Sequence, residues 1–144
     1  MLNVLDLLAK DNSGVVALVP PVDGVSLVDL VGAFEESQGF TPAGGYAGII
    51  PAYVQLGDLA AYYRGIARAQ LPQRGRLWLL GCDCGEVSCW PLEADVTLAE
   101  ESVRWSAFAQ PCRRVWSYAG FGPFVFDRRQ YEDAVAEAVA ALGA

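Results

Sequence analysis

The stretch from Leu77 to Cys112 constrains the fold more than any other, because it holds all four cysteines, three of the four tryptophans and the clearest apolar-polar alternation in the chain. Arg76 to Asp83, Cys89 to Leu98 and Val103 to Ala109 read as strands, and the gaps Gly85-Glu86-Val87-Ser88 and Ala99-Glu100-Glu101-Ser102 carry turn residues. The pattern predicts a three-strand antiparallel meander. Closing the first hairpin between Cys84 and Cys89 sets Leu79 opposite Ala94 and Leu77 opposite Val96. Closing the second between Leu98 and Val103 sets Ala94 opposite Ala107 and Val96 opposite Trp105. Leu77, Leu79, Trp90, Leu92, Ala94, Val96, Leu98, Val103, Trp105 and Ala107 then share one apolar face, and a slip of one residue would turn Glu93 and Asp95 into it. Pro91, with no N–H to donate, calls for a bulge or an irregular end near Cys89.

The same pairing sets Cys84 opposite Cys89 and Cys89 opposite Cys112, with Cys82 two residues along, so Cys82, Cys84, Cys89 and Cys112 are expected in one neighbourhood. Three readings of these thiols stand open. A closed zinc site needs four thiolates at about 2.3 Å from the ion, but the spacing is Cys-x-Cys-x4-Cys-x22-Cys rather than a pair of Cys-x-x-Cys knuckles. Thiols at i and i+2 on a regular strand also stand roughly 6.6 Å apart along the chain. A Cys84–Cys89 disulfide suits cross-strand distances but not a reducing compartment. Reduced thiols packed near the sheet end are the third reading. Zinc is therefore the one candidate cofactor.

The length, 144 residues with 53% hydrophobic, suits a single domain spanning 1–144 with a sizeable core. The net charge of −7 weighs against nucleic acid or an anionic membrane as partner. The charge is uneven. Met1 to Tyr63 holds seven acids against Lys10 alone, whereas Arg64 to Ala144 holds nine arginines against ten acids. A partner recruited by charge is thus expected to be a basic protein meeting the first half. Neither an export signal nor a membrane span is indicated, and a cytoplasmic protein is the expectation. Histidine is absent, which removes Ser-His-Asp and Cys-His nucleophile systems and histidine metal sites. No catalytic residue is assigned.

In chain order, Leu2 to Ala9 and Val15 to Val19 flank the turn cluster Asp11-Asn12-Ser13-Gly14 and predict an N-terminal β-hairpin. Ser26 caps a helix from Leu27 to about Ser37, with Leu27, Leu30, Val31 and Phe34 inward and the Glu35-Glu36 pair on the solvent side. Gly39 to Pro51 reads as a long loop. Its Gly44-Gly45-x-x-Gly48 lacks the lysine of a phosphate loop, and Tyr46 and Tyr53 are its candidate contacts for a ligand or partner. Asp58 caps a second helix expected to reach about Ala69. Val115 to Tyr118 reads as a fourth strand, Phe124 to Phe126 as a short fifth segment, and Asp127 caps a last helix from Arg128 to Leu142 striped by Tyr131, Val135, Ala138, Val139 and Leu142. The expected class is α+β: an N-terminal β-hairpin, two helices, a three- to four-strand antiparallel meander and a C-terminal helix packed on the sheet.

Leu80-Gly81-Cys82-Asp83-Cys84-Gly85 with Cys89-Trp90-Pro91, then Trp105, Gln110-Pro111 and Phe126-Asp127-Arg128 with Gln130-Tyr131, resembles a group of small uncharacterised bacterial proteins. The resemblance covers mainly the second half. It implies a self-contained bacterial domain and carries over no residue roles.

Two functional expectations follow. The first is a protein-interaction domain with a structural cysteine cluster. The second is an enzyme or small-molecule binder with a pocket near Trp78, Glu93, Asp95 and Arg104, since Glu93 and Asp95 project together from the outer face of the meander. Charge on the outer side of a one-sided sheet is ordinary, which favours the first.

Overall fold

The computed structural model describes residues 2–12, 14–68, 70–84 and 90–143. Strand β1 (Leu8–Asn12) pairs with β2 (Val15–Val19), and β3 (Pro21–Val22) pairs with β4 (Val25–Ser26), giving two small antiparallel sheets. Helix α1 (Leu27–Ser37) follows, then β5 (Tyr46–Ala47), helix α2 (Leu59–Tyr63), and the strands β6 (Arg76–Cys82), β7 (Leu92–Leu98), β8 (Ser102–Ala109) and β9 (Phe124–Asp127). Helix α3 (Arg128–Gly143) is last. Strands β5 to β9 form one antiparallel sheet in sequence order. Helix α3 lies against β8, β9, α2 and β1, so the α+β class holds.

The second hairpin has the predicted register over its first part: Leu98 faces Val103 and Val96 faces Trp105. The register then shifts between Glu93 and Asp95, at a bulge whose Ala107 takes φ +52°. The extra residue turns Ala107 outward and Phe108 and Gln110 inward, so Ala107 does not join the apolar face. The first hairpin is offset by two residues from the expected register. Leu77 faces Ala94 rather than Val96, and a second irregularity lies between Trp78 and Leu80. A shift of two preserves which face each residue takes. Leu77, Leu79, Leu92, Ala94, Val96, Val103 and Trp105 are accordingly buried, as the alternation requires, while Trp90 and Leu98 are half-buried.

The sheet's edges are closed mainly by side chains. Beyond the two residues that β5 covers, the outer edge of β6 is met by the Tyr62 hydroxyl, which accepts from Trp78 N (2.8 Å) and donates to Trp78 O (2.9 Å). Buried Gln70 donates to Arg76 O and to Tyr62 O. At the other edge Asn3 N donates to Val125 O, and Val125 N donates to Asn3 Oδ1. The N-terminal stretch is thereby split. Asn3 and Leu5 form single bridges to Phe126 and Val22, and the hairpin starts only at Leu8.

Both long helices keep close to their sequence bounds, but α2 stops at Tyr63 rather than near Ala69. The cause is Gly65 at φ +75°: Gly65 N donates to Tyr62 O and Ile66 N to Ala61 O, which is the glycine-terminated helix end. A Cβ at Gly65 would collide with the Val96 side chain. The segment Val115 to Tyr118 is not a strand. Trp116 N donates to Arg113 O and Phe121 N to Tyr118 O, so the chain runs as successive turns.

Gly65→Ala combines a left-handed backbone penalty with overpacking against Val96, and is expected to cost about 2–4 kcal/mol in urea unfolding. A loss below about 0.5 kcal/mol would show that this helix end is not tightly packed on the sheet.

Candidate functional site

Helix α1 buries Leu27, Val31 and Glu35, one stripe at four-residue intervals. Glu35 is 0% exposed, whereas Glu36 beside it is exposed. This corrects the reading of the two as a solvated pair. Directly beyond, Gly39 at φ +74° reverses the chain: Gly39 N donates to Glu36 O and Phe40 N to Glu35 O, and the Phe40 ring lies 6.4 Å from Phe34. The glycine-rich loop is thereby folded back over the last turn of α1.

Three groups then donate to the Glu35 carboxylate. Gly44 N reaches Oε1 at 2.8 Å, the Tyr46 hydroxyl reaches Oε2 at 2.6 Å, and the Tyr118 hydroxyl reaches the same Oε2. Behind Tyr46, buried Gln110 donates from Nε2 to the Tyr46 oxygen (3.0 Å), and Cys112 N donates to Gln110 Oε1 (3.0 Å). Each of these hydrogen bonds is directed toward the carboxylate. Withdrawing a carboxylate from water costs several kcal/mol, which donors must offset. Here they come from the loop after α1, from β5 and from the segment after β8, so one buried group ties all three together.

Tyr46 and Tyr118 are both held well above the ordinary phenol range, first by burial and then by their hydrogen bonds to Glu35, because ionising either would set a second negative charge beside the carboxylate. Burial is likewise the first cause of the upward shifts of Tyr62, Tyr63 and Tyr131.

Above this lock lies a ridge of rings. Trp90 Nε1 donates to Gly44 O at 2.8 Å, and its ring stands edge-on to Trp116 at 5.8 Å. Trp116 stacks on Phe40 at 4.6 Å with 9° between planes. The Arg113 guanidinium sits over Trp90, 4.9 Å from the ring centroid. Phe40, Trp90 and Trp116 are half-buried, Arg113 and Arg114 are exposed, and Val115 is 92% exposed.

Tyr46 and Tyr53, the two loop residues singled out from sequence, fall in separate places. Tyr46 is buried in the Glu35 network, while Tyr53 is 63% exposed, so they do not form one contact. Glu93 and Asp95 do project together, but the cation between them is Arg76, at 3.2 Å from Glu93 and 2.6 Å from Asp95. Arg104 borders a cleft of about 250 Å³ with Tyr118 and Phe121, which Glu93 and Asp95 do not line. Of the four cysteines, Cys82 is half-buried at the end of β6, Cys84 and Cys112 are exposed, and Cys89 lies outside the described residues. Among the described residues no group of three or more Cys, Asp or Glu side chains is arranged to hold a metal ion. Among the same residues no helix is long and apolar enough to cross a membrane. In the acidic first half Asp6, Asp11, Asp23, Asp29, Glu36 and Asp58 are exposed, leaving Glu35 as the buried one.

The sequence signal for Glu35 was its spacing, four residues after Val31 on the apolar stripe. Its donors gave none, since Tyr118 is 83 residues away. No family model, no curated protein and no solved structure matches this chain.

Replacing Glu35 with Ala strands the Tyr46 and Tyr118 hydroxyls and Gly44 N, and is expected to cost about 3–5 kcal/mol by urea unfolding. Glu35→Gln keeps the shape but faces one of the donors with its own NH2, and about 1–3 kcal/mol should be lost. Equal, small losses in both would deny the network its structural role. The tyrosines set the alkaline limit. Their folded pKa values lie above the unfolded one, so their contribution is fully present below about pH 10 and is lost as pH rises beyond it. Tyrosinate absorbance from these buried rings should appear only together with loss of near-ultraviolet dichroism.

Proposed function

We infer that this chain is a protein-recognition domain whose contact surface is the loop pair closed over Glu35. The observation that supports this best is the lock itself. A buried carboxylate fixes Gly44, Tyr46 and Tyr118, and these carry the loops that present Phe40, Trp90, Arg113, Val115 and Trp116. Tryptophan and arginine are the residue types most enriched among the dominant contacts of interfaces. A surface ordered in advance also loses less entropy on binding. An aliphatic side chain as exposed as Val115, next in the chain to Arg114 and Trp116, gains most by being covered.

The alternative, chemistry at Glu93, Asp95 and Arg104, has weaker support, because Arg76 occupies the two carboxylates. Charge by itself pointed to a basic partner for the acidic first half. The ridge instead draws its arginines from the second half, so its partner need not be basic.

A photo-crosslinking side chain introduced at Val115 should give a discrete adduct in lysate of the source cells, and one at Glu137 on the exposed side of α3 should not. The same adducts at both positions, or none at Val115, would count against recognition through these loops.

A further inference from the structure

We propose that the ridge binds an acidic polypeptide segment: two carboxylates engage Arg113 and Arg114, and an apolar side chain of the segment covers Val115. This rests on the reading of the loop pair as a recognition surface and adds the chemistry of its partner.

The charge argument is local. Arg113 and Arg114 are adjacent and exposed, and neither forms an ion pair among the described residues, whereas Arg64, Arg76 and Arg128 each do. Arg113 is ordered before any partner arrives. Its face lies over the Trp90 ring and its Nη1 donates to Cys112 O at 3.0 Å, which leaves guanidinium edge N–H groups for an incoming oxygen. A guanidinium offers a carboxylate two parallel hydrogen bonds, and a stacked one loses less freedom in making them. Val115, 92% exposed beside these two, supplies an apolar contact that free carboxylates cannot use and a peptide side chain can.

The net charge of −7 decides between polyanions. At physiological salt the screening length is about 8 Å. A short acidic segment can engage Arg113 and Arg114 without spanning the rest of the molecule. A nucleic acid laid across the molecule would also run past the exposed acids of the first half, and it needs many neutralised phosphates to bind.

The test is selection of a random peptide-display library on the immobilised full-length protein at physiological salt, followed by solution affinities of the enriched peptides for wild type, Arg114→Glu, Val115→Asp and, as control, Lys10→Glu. Circular dichroism of each variant checks its fold. The proposal expects an enriched consensus with at least two acids near an aliphatic or aromatic residue. Arg114→Glu and Val115→Asp should each weaken binding about tenfold or more, and Lys10→Glu should leave it unchanged. A neutral or basic consensus lost in Val115→Asp would overturn the acidic assignment while leaving the recognition surface intact. Peptides indifferent to both substitutions, or no enrichment at all, would overturn the proposal, as would equal affinity for single-stranded DNA of the same length.

Discussion

A carboxylate taken wholly out of water must be met by donors, and at Glu35 that requirement couples parts of the chain that otherwise have little reason to meet. The acid stands in the last turn of α1 on the stripe set by Leu27 and Val31, so packing the helix carries it inside. Its oxygens accept from Gly44 N, Tyr46 and Tyr118, and Gln110 extends the line to Cys112 N. The glycines before Tyr46 have a task here. Gly44 and Gly45 take φ +77° and +82°, conformations that let the loop return and aim an amide at the acid. Such a network, satisfied at every member, holds one arrangement because each alternative leaves a buried polar group unpaired.

The same economy of side chains for backbone runs through the sheet. A strand with an open edge is a template for unwanted pairing. Here Tyr62 and Gln70 meet the edge of β6, and Asn3 meets that of β9. Gln130 of α3 exchanges hydrogen bonds with both backbone groups of Leu5, tying the N-terminal stretch to the C-terminal helix. Trp105, Phe126 and Tyr131 pack edge-on or tilted between β8, β9 and α3, and Trp105 Nε1 finds the Tyr131 oxygen. Trp105 and Tyr131 keep their polar ends partnered in this way, whereas the buried Tyr63 hydroxyl has no hydrogen-bond partner among the described residues.

Hydrogen-bonded support and half-buried rings together give the loop surface its character. Phe34, Tyr118 and Phe121 pack beneath, and Phe40, Trp116, Trp90 and Arg113 form successive contacts above. The lower layer is core and the upper layer is half-wet. Rings in that position bury area on binding without first having to be ordered.

Local signals were enough for several elements: α1 from its serine cap to Ser37, α3 from Asp127 onward, the tight second hairpin with Val96 opposite Trp105, and the inward face of the meander except Ala107. These follow from periods of 2 and 3.6 and from caps, which need only near neighbours. Tertiary structure decided the rest. The bulge at Ala107 depends on how Phe108 and Gln110 are received inside, and the early end of α2 on Val96 lying against Gly65. β5 exists because β6 offers an edge to pair with. Above all, whether Glu35 faced water or the interior turned on donors 9, 11 and 83 residues away. A polar residue on an apolar stripe reads as an exposed position until its partners are in place, and pairing at such separations is fixed only by the fold that brings them together.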